Sequence, residues 1–454
     1  MIERTHRGAG SSGHASGAAS GEVRARAARE ASRVLAALPG ELRTAALEEI
    51  ARVLYRERPG ITNANSEDCD RAESEGLAPP LRKRLRFDAP KQDEAIAGVK
   101  SVAALTDPVG RVVERRELDT GLVLERRTTP IGVIAMIFES RPDALVQIAA
   151  LALKSGNAVV LKGGSEARES NRVLATLIHD AAVSAGAPRG WLQLIETRED
   201  VGALLRLDRY IDLVIPRGSN EFVRYIMDNT RIPVMGHADG VCHLYLDKAA
   251  DTVMAVGVVV DSKTQYVAVC NAVETLLVHA AAAPMLLPAV GDALRAKGVT
   301  LKGCPRTQKI LPGIDAAEES DWAAEYLDLV IAIRVVDSLE EAIGHINHWG
   351  SGHTDGIVTG DALAAQTFLR EVDSASVMWN SSTRFADGFR YGLGAEVGIS
   401  TSRLHARGPV GVEGLLSYKW ILVGQGHVVA DYAGGERTFT HRTLPLEDIP
   451  LEGR

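Results

Sequence analysis

Twice along this chain, short apolar runs alternate with segments of helical periodicity, and this alternation restricts the fold more than any other feature. In the first series, strand signals at Ile131–Phe138, Ala158–Leu161, Leu192–Ile195 and Asp212–Ile215 are interleaved with helix signals at Ala144–Lys154, Glu166–Ala185 and Glu199–Leu207, and a helix at Asn220–Asp228 follows. The second series opens with a helix at Asp251–Asp261. Strands at Thr275–Val278, Val299–Leu301, Leu327–Val336, Gly356–Val358 and Ser376–Trp379 then alternate with helices at Pro288–Lys297, Leu339–His348 and Ala362–Arg370. Short apolar runs joined by helices predict parallel sheets covered on both faces. The fold class is therefore α/β, and 454 residues are too many for a single core.

Three segments stand outside this pattern. Residues 1–21 are rich in Gly, Ser and Ala and read as a disordered tail, followed by amphipathic helices from Glu22 onward. Around Asp119-Thr120-Gly121, the apolar pairs of residues 111–127 predict a β-hairpin apart from the main sheets. The stretch from Leu415 to Val429 is strand-like and is expected to pair near that hairpin, within the chain or across a subunit boundary.

Bulk properties exclude several classes. A net charge of −8 argues against a general nucleic-acid binder, which needs a basic field. Apolar runs stay short of the roughly 18 residues a membrane helix requires, and the N-terminal stretch lacks an apolar signal core. The four cysteines, Cys69, Cys242, Cys270 and Cys304, form no CxxC pair, so neither a metal site nor a disulfide framework is expected and a reducing cytoplasmic location fits.

Seven stretches together resemble the gamma-glutamyl phosphate reductases, a branch of the aldehyde dehydrogenase superfamily. They are TPIGVIAMIFESRP (129–142), KSGNAVVLKGGSEA (154–167), DLVIPRGS (212–219), VCNAVETLLVH (269–279), STRF (382–385), YGLGAEVGIST (391–401) and HARGPVGVEG (405–414). The likeness runs from about Glu22 to about His441 and is strongest to the reductase half of the plant bifunctional proline-pathway enzyme. It implies an aldehyde dehydrogenase-like fold: a Rossmann-type cofactor domain, an α/β catalytic domain and a small β oligomerisation element. On this sequence the cofactor domain would span 22–264, with hairpin 111–127 in the oligomerisation element; the catalytic domain would span 265–400, and 401–454 would return to the cofactor domain with an oligomerisation strand and tail.

The chemistry the resemblance implies is NADPH-dependent reduction of L-glutamyl 5-phosphate to L-glutamate 5-semialdehyde, which needs a thiolate, an oxyanion site, a nicotinamide and anion donors. Cys270 is the expected nucleophile; a free cysteine is ordinarily a small apolar filler, and that reading is kept for Cys69, Cys242 and Cys304. Lys263 and Arg141 are candidate cations for its activation. Where ordinary aldehyde dehydrogenases place an oxyanion-binding asparagine, this chain has Ser140, so Asn271 or a backbone amide is considered for that role. Their glutamate general base is missing from MGHADGVCH (235–243), in which His237 and Asp239 are weak alternatives to a plain loop. A reductase working on an acyl phosphate gains from that loss, because water activation would discard its substrate.

For the cofactor, Lys162, Gly163, Gly164 and Ser165 follow a strand and open a helix, where glycines admit a ligand and a helix start favours anions. The resemblance assigns Lys162 to the adenosine ribose. Ser165 stands where NAD-preferring relatives often carry a glutamate, and Arg168 adds positive charge, so NADPH/NADP is expected. Gly218 and Ser219 match a Gly-Ser pair near the pyrophosphate, and Glu325 matches a glutamate that holds the nicotinamide ribose. Arg384 is assigned to the substrate α-carboxylate, with Arg141, His405 and Arg407 for phosphate; ordinary salt bridges are the alternative for each. The interface strands imply a homo-oligomer, and an unstable acyl phosphate is compatible with a transient glutamate 5-kinase contact. Two other readings stay open: an aldehyde-oxidising dehydrogenase, which needs a water-activating base, and a non-catalytic partner of the kinase.

Overall fold

Residues 12–139, 141–196, 199–236 and 239–446 are described by the computed structural model. Strands run in chain order as β1 Val112–Asp119, β2 Leu122–Pro130, β3 Val133–Phe138, β4 Ala158–Lys162, β5 Leu192–Ile195 and β6 Leu213–Arg217. They continue as β7 Cys242–Leu246, β8 Val273–His279, β9 Thr300–Gly303, β10 Asp315–Ala316, β11 Val330–Val336, β12 Thr354–Val358 and β13 Ser376–Trp379. The short β14 Ile399–Ser400 and β15 Gly408–Pro409 precede β16 Leu416–Val423 and β17 Arg442–Thr443. The chain divides into two units, one of Met1–Gly218, Tyr225–Val234 and Gly411–Arg454, the other of Ser219–Arg224 and Met235–Val410.

The first unit holds a parallel sheet ordered β5-β4-β3-β6. Every residue of β3 and β4 is buried, Lys162 included, as the continuous apolar runs require of strands covered on both faces. Because β4 and β6 flank β3 on opposite sides, the strand order reverses there, and the segments after β3, β4 and β6 all leave from the same carboxyl edge. In open α/β sheets that edge is the ligand crevice. Asn157 fastens the C-terminal return to this sheet: its Oδ1 accepts from Gly132 N at 2.7 Å and its Nδ2 donates to Leu415 O at 2.8 Å.

A separate antiparallel sheet, ordered β16-β2-β1-β17, carries the hairpin and the C-terminal segment. The pairing of residues 416–423 with β2 occurs within the chain. β16 is an edge with Tyr418, Trp420 and Leu422 each about half exposed, at 52%, 50% and 56%, and Arg126 lies over the two aromatic rings. At the opposite edge β17 covers β1, and a stack of Tyr432 on Phe439 and an Arg442–Glu117 pair secure that tail. The strand signal at Leu415–Val429 thus ends at Val423, and Val429–Ala433 is helical.

In the second unit a seven-stranded sheet runs β10-β9-β11-β8-β7-β12-β13. The boundary expected after residue 264 therefore moves: β7 lies between β8 and β12, and helix Thr252–Thr264 packs on the same sheet, so both belong to this unit. The N-terminal expectation also changes, since a helix runs from Ser12 to Ala36 where a disordered tail to residue 21 is read from sequence. Residues 1–11 lie outside the described residues.

A lysine–glutamate pair in this unit is wholly buried. Lys263 Nζ meets Glu274 Oε2 at 2.5 Å, both side chains fully excluded from solvent. Burial pushes the Glu274 carboxyl up to about 7 and the Lys263 amine down, and each partner offsets that push on the other. Removing one partner strands a charge in the core. Lys263→Met should therefore cost about 3–5 kcal/mol in denaturant unfolding at pH 8, whereas Lys263→Met with Glu274→Leu should recover most of it. The loss in the single variant should shrink towards pH 5, where the unpaired carboxyl is protonated; a loss independent of pH would contradict the assignment.

Candidate active site

The expected nucleophile lies on a turn between a helix and a strand. After helix Thr252–Thr264 the backbone turns irregular, and Ala272 N donates to Val269 O at 3.1 Å. This bond closes a four-residue turn with Cys270 in second place, directly ahead of β8. It also fixes the Val269–Cys270 peptide plane, so that the Cys270 N–H points opposite to the Val269 carbonyl, away from the turn. Cys270 itself is half-buried.

Two residues crowd its backbone. Cys242, the first residue of β7, is fully buried, and its Sγ donates to Cys270 O at 3.2 Å. Burial, then the Asp355 charge, holds the Cys242 thiol well above its usual range, so it stays a protonated donor. Gly240 comes closer still: a Cβ there would stand 2.3 Å from Cys270 O and 2.6 Å from its Cα. The filler reading of Cys242 is therefore incomplete, and no sequence signal marks its contact; Gly240 is visible only as a glycine near the missing base.

The charges around Cys270 differ from expectation. Lys263 is committed to Glu274 and is not the activating cation. Arg384 is buried on the turn Thr383–Phe385, and Cys270 is among the groups whose charge acts on its guanidinium. Burial, then Arg390, lowers the Arg384 pKa. Its Nε donates to Gln265 Oε1 at 3.0 Å, and its turn is tied to the same helix end by Ser262, whose Oγ meets Ser382 Oγ at 3.1 Å and accepts from Thr383 N at 3.2 Å. Asn271 is buried with Nδ2 donating to Ala386 O at 2.8 Å, which ties its side chain to the Arg384 segment. Glu325 accepts from Asn220 Nδ2 at 3.2 Å and from the Gly240 N–H, and burial raises its pKa, so the sequence match brings it to the loop that abuts Cys270. Asp239 is held by Asn220 and Arg224, as a plain loop residue would be. Ser140 and His237 lie outside the described residues.

In the first unit, Lys162 ends β4 and Gly163, Gly164 and Ser165 lead through a short turn into helix Arg168–Ser184. A Cβ on Gly163 would stand 2.1 Å from Asn171 Nδ2. Arg168 is exposed and pairs with Glu169 at 2.9 Å. Glu166, which the sequence reading did not weigh, folds its carboxylate over Gly164, 2.0 Å from where a Cβ would be. Gly218 follows β6, and Arg141 precedes helix Pro142–Lys154, so both join the Lys162 turn at the carboxyl edge of one sheet. The glycines, the buried lysine and the helix start at that edge fit a dinucleotide. Ser219 begins the next helix, its carbonyl accepting from Val223 N at 3.0 Å. His405 is exposed, and Arg407 is bound to Asp373 at 2.9 Å; Arg403 shares the same carboxylate.

A Rossmann-type sheet joined to a second parallel sheet with a cysteine turn ahead of a central strand defines the aldehyde dehydrogenase class, and the profile of the Aldehyde dehydrogenase family matches residues 11–318. Gamma-glutamyl phosphate reductase of Pelotomaculum thermopropionicum is 61% identical over 420 residues, covering 92% of this chain and 96% of that one. The enzyme of the same name from Acetivibrio thermocellus is 59% identical over 416 residues, with 92% and 96% coverage. The crystal structure of gamma-glutamyl phosphate reductase from Thermotoga maritima superposes with a TM-score of 0.87 at 41% identity, covering 89% of this chain and 99% of that one. An acetylating aldehyde dehydrogenase from Geobacillus thermoglucosidasius, at 17% identity and TM-score 0.64, shares the fold. The chain belongs to the gamma-glutamyl phosphate reductase family and is an oxidoreductase.

The Gly240 approach gives a direct test. Gly240→Ala must push the Cys270 backbone aside, and a 1 Å misplacement of a reacting group costs about 100-fold. Turnover and the rate of Cys270 alkylation by iodoacetamide should both fall by about that factor, while thermal unfolding shifts by no more than overpacking of about 1–3 kcal/mol implies. Unchanged alkylation would show that the glycine does not position the thiol.

Proposed function

We propose that this enzyme reduces L-glutamyl 5-phosphate to L-glutamate 5-semialdehyde with NADPH, releasing phosphate, as a step of proline biosynthesis. The observation that carries the reading is the setting of Cys270: a cysteine on a tight turn, a buried guanidinium on a turn tied to the helix end before it, and no glutamate in the neighbouring 235–243 stretch, whose Asp239 is already tied to Asn220 and Arg224.

Ionised Cys270 adds to the acyl carbonyl. The oxyanion so formed collapses, expelling phosphate and leaving a thioester on sulfur. Arg384 favours the negative charge on both the attacking sulfur and the developing oxyanion, and the outward Cys270 N–H donates to the oxyanion. Bound NADPH supplies the hydride. The resulting thiohemiacetal then breaks its C–S bond, freeing the aldehyde and returning the thiolate. Without a carboxylate base to deprotonate water, the thioester is not drained by hydrolysis, which separates this reading from an aldehyde-oxidising dehydrogenase.

The preference for NADPH rests on Ser165, which removes one carboxylate from the turn, and on exposed Arg168. Lys162, Gly163, Gly164, Gly218 and Ser219 would hold the dinucleotide, and Glu325 the nicotinamide ribose. The bare β16 edge, with Tyr418, Trp420 and Leu422 presented, supports a homo-oligomer, because an open strand edge with apolar side chains calls for cover. An unstable acyl phosphate also gives reason for transient contact with the kinase that makes it.

In the reverse direction, reduction of NADP by glutamate semialdehyde should depend strictly on phosphate, and Cys270→Ser should abolish it while NADPH binding and folding persist. Equal rates without phosphate would reject the reductase reading in favour of the oxidase. Arg168→Ala should weaken NADPH about tenfold, as expected for one charge-assisted contact, and leave NADH affinity unchanged when both are measured by fluorescence titration.

A further inference from the structure

The four-residue turn that carries Cys270 can be built in two ways. Its closing bond, from Ala272 N to Val269 O, is common to type I and type II turns, which differ by a half-rotation of the central peptide. Here that peptide joins Cys270 to Asn271. Type II requires positive φ at the third position, and asparagine is among the few residues that accept it. Local sequence therefore leaves both forms open. In the structure neither Cys270 nor Asn271 has positive φ, so the turn is type I.

Two residues remote in the chain select that form. The Cys270 carbonyl points into a seat made by Gly240 and Cys242. A Cβ on residue 240 would stand 2.3 Å from the oxygen, so glycine is needed to leave room for it. Cys242 is fully buried, and its Sγ donates to the same oxygen at 3.2 Å. The sulfur is itself held from the other side. Cys242 opens β7, Thr354 opens the neighbouring β12, and the Thr354 N–H donates to the sulfur. His353 Nδ1, at 3.7 Å, lies farther from the thiol than the Cys270 oxygen does.

The form of the turn decides where its amides point. In type I the Cys270 backbone is helical, so its N–H and that of Asn271 point the same way, as at a helix start. Both carbonyls then face the opposite side. Flipping the central peptide would break the pair, turning the Asn271 N–H inward and the Cys270 carbonyl outward. The chemistry proposed for Cys270 builds negative charge on sulfur and then on the acyl oxygen, which paired N–H donors stabilise and a carbonyl oxygen opposes. We infer that Cys242 is a positioning residue for this reaction: its S–H bond, with the space left by Gly240, holds the Cys270–Asn271 peptide in the orientation that gives the nucleophile's turn two parallel amide donors. The inference rests on the reading of Cys270 given above. It adds the Asn271 N–H to the Cys270 N–H at the oxyanion.

The test uses phosphate-dependent reduction of NADP by glutamate semialdehyde with the full-length enzyme. Cys242→Ala should lower kcat about fivefold, the weight of one hydrogen bond, with the Kd of NADP from fluorescence titration unmoved. Cys242→Ser keeps a donor and should recover most of the loss. Equal losses in the two variants would show that the volume of the sulfur matters and not its proton, and would overturn the inference. So would an alanine variant that turns over at the unaltered rate. Combination with Gly240→Ala is the sharper measure, because both changes act on one carbonyl. Once alanine expels that oxygen from its seat, the thiol has nothing left to hold. The double variant should therefore stay near the loss of about 100-fold expected for Gly240→Ala alone, whereas independent effects would multiply to about 500-fold and refute the lock. If Cys242→Ala does not fold, infrared spectroscopy decides: the S–H stretching band that disappears in Cys242→Ser should lie at the lowered frequency of a hydrogen-bonded thiol, and a free-thiol frequency refutes the lock. No turnover by the unaltered enzyme would instead remove the reductase reading itself.

Discussion

The buried pair of Lys263 and Glu274 is the constraint on which the catalytic turn depends. Lys263 closes the helix before Cys270 and Glu274 lies in the strand after it, so the pair clamps both flanks of the nucleophile's turn. Glu274 also accepts from Leu327 N at 3.3 Å, which fixes the segment carrying Glu325. Ser262 and Gln265, on either side of Lys263, fasten the Arg384 turn. One helix end therefore sets the cysteine turn, the Arg384 turn and the Glu325 loop together. A buried pair is a weak source of net stability, because desolvation consumes most of its attraction. What it supplies here is geometry: neither flank can shift without leaving a charge alone in the core.

Much of the framework is legible in the sequence, for a clear reason. β3 and the first four residues of β4 are apolar because both faces are covered, and such runs are hard to mistake. β7 is not legible. Its Cys242-His243-Leu244-Tyr245-Leu246 run places polar atoms in the middle of a sheet, and only the fold reveals that Asp355 and Asp247 receive them. Missing that strand moved the boundary between the units. The hairpin follows from its apolar segments and a turn, whereas the place of its C-terminal partner comes from the family resemblance, and where that strand stops at Val423 from neither.

The site divides along the same line. Cys270 is legible from its neighbours in sequence, and the cofactor turn from its glycines. The partners that define their environment are remote in the chain: Cys242 and Gly240 meet Cys270 through sheet pairing and loop crossings that no local pattern encodes. Lys263 illustrates the converse error. A lone lysine near a cysteine invites a catalytic role, and its true partner stands eleven positions on (274 − 263), on another element.

The small antiparallel sheet ends differently on its two sides. β17 and the aromatic stack behind it seal one flank from within, while β16 leaves its backbone groups and three large side chains facing outward. Such a sheet can be lengthened in one direction only. Copies that join through this flank consume it as they do so, and the other flank ends in the two-residue β17, too short a ladder to pass the pairing on, so growth by strand addition halts at a finite assembly instead of running into a fibre.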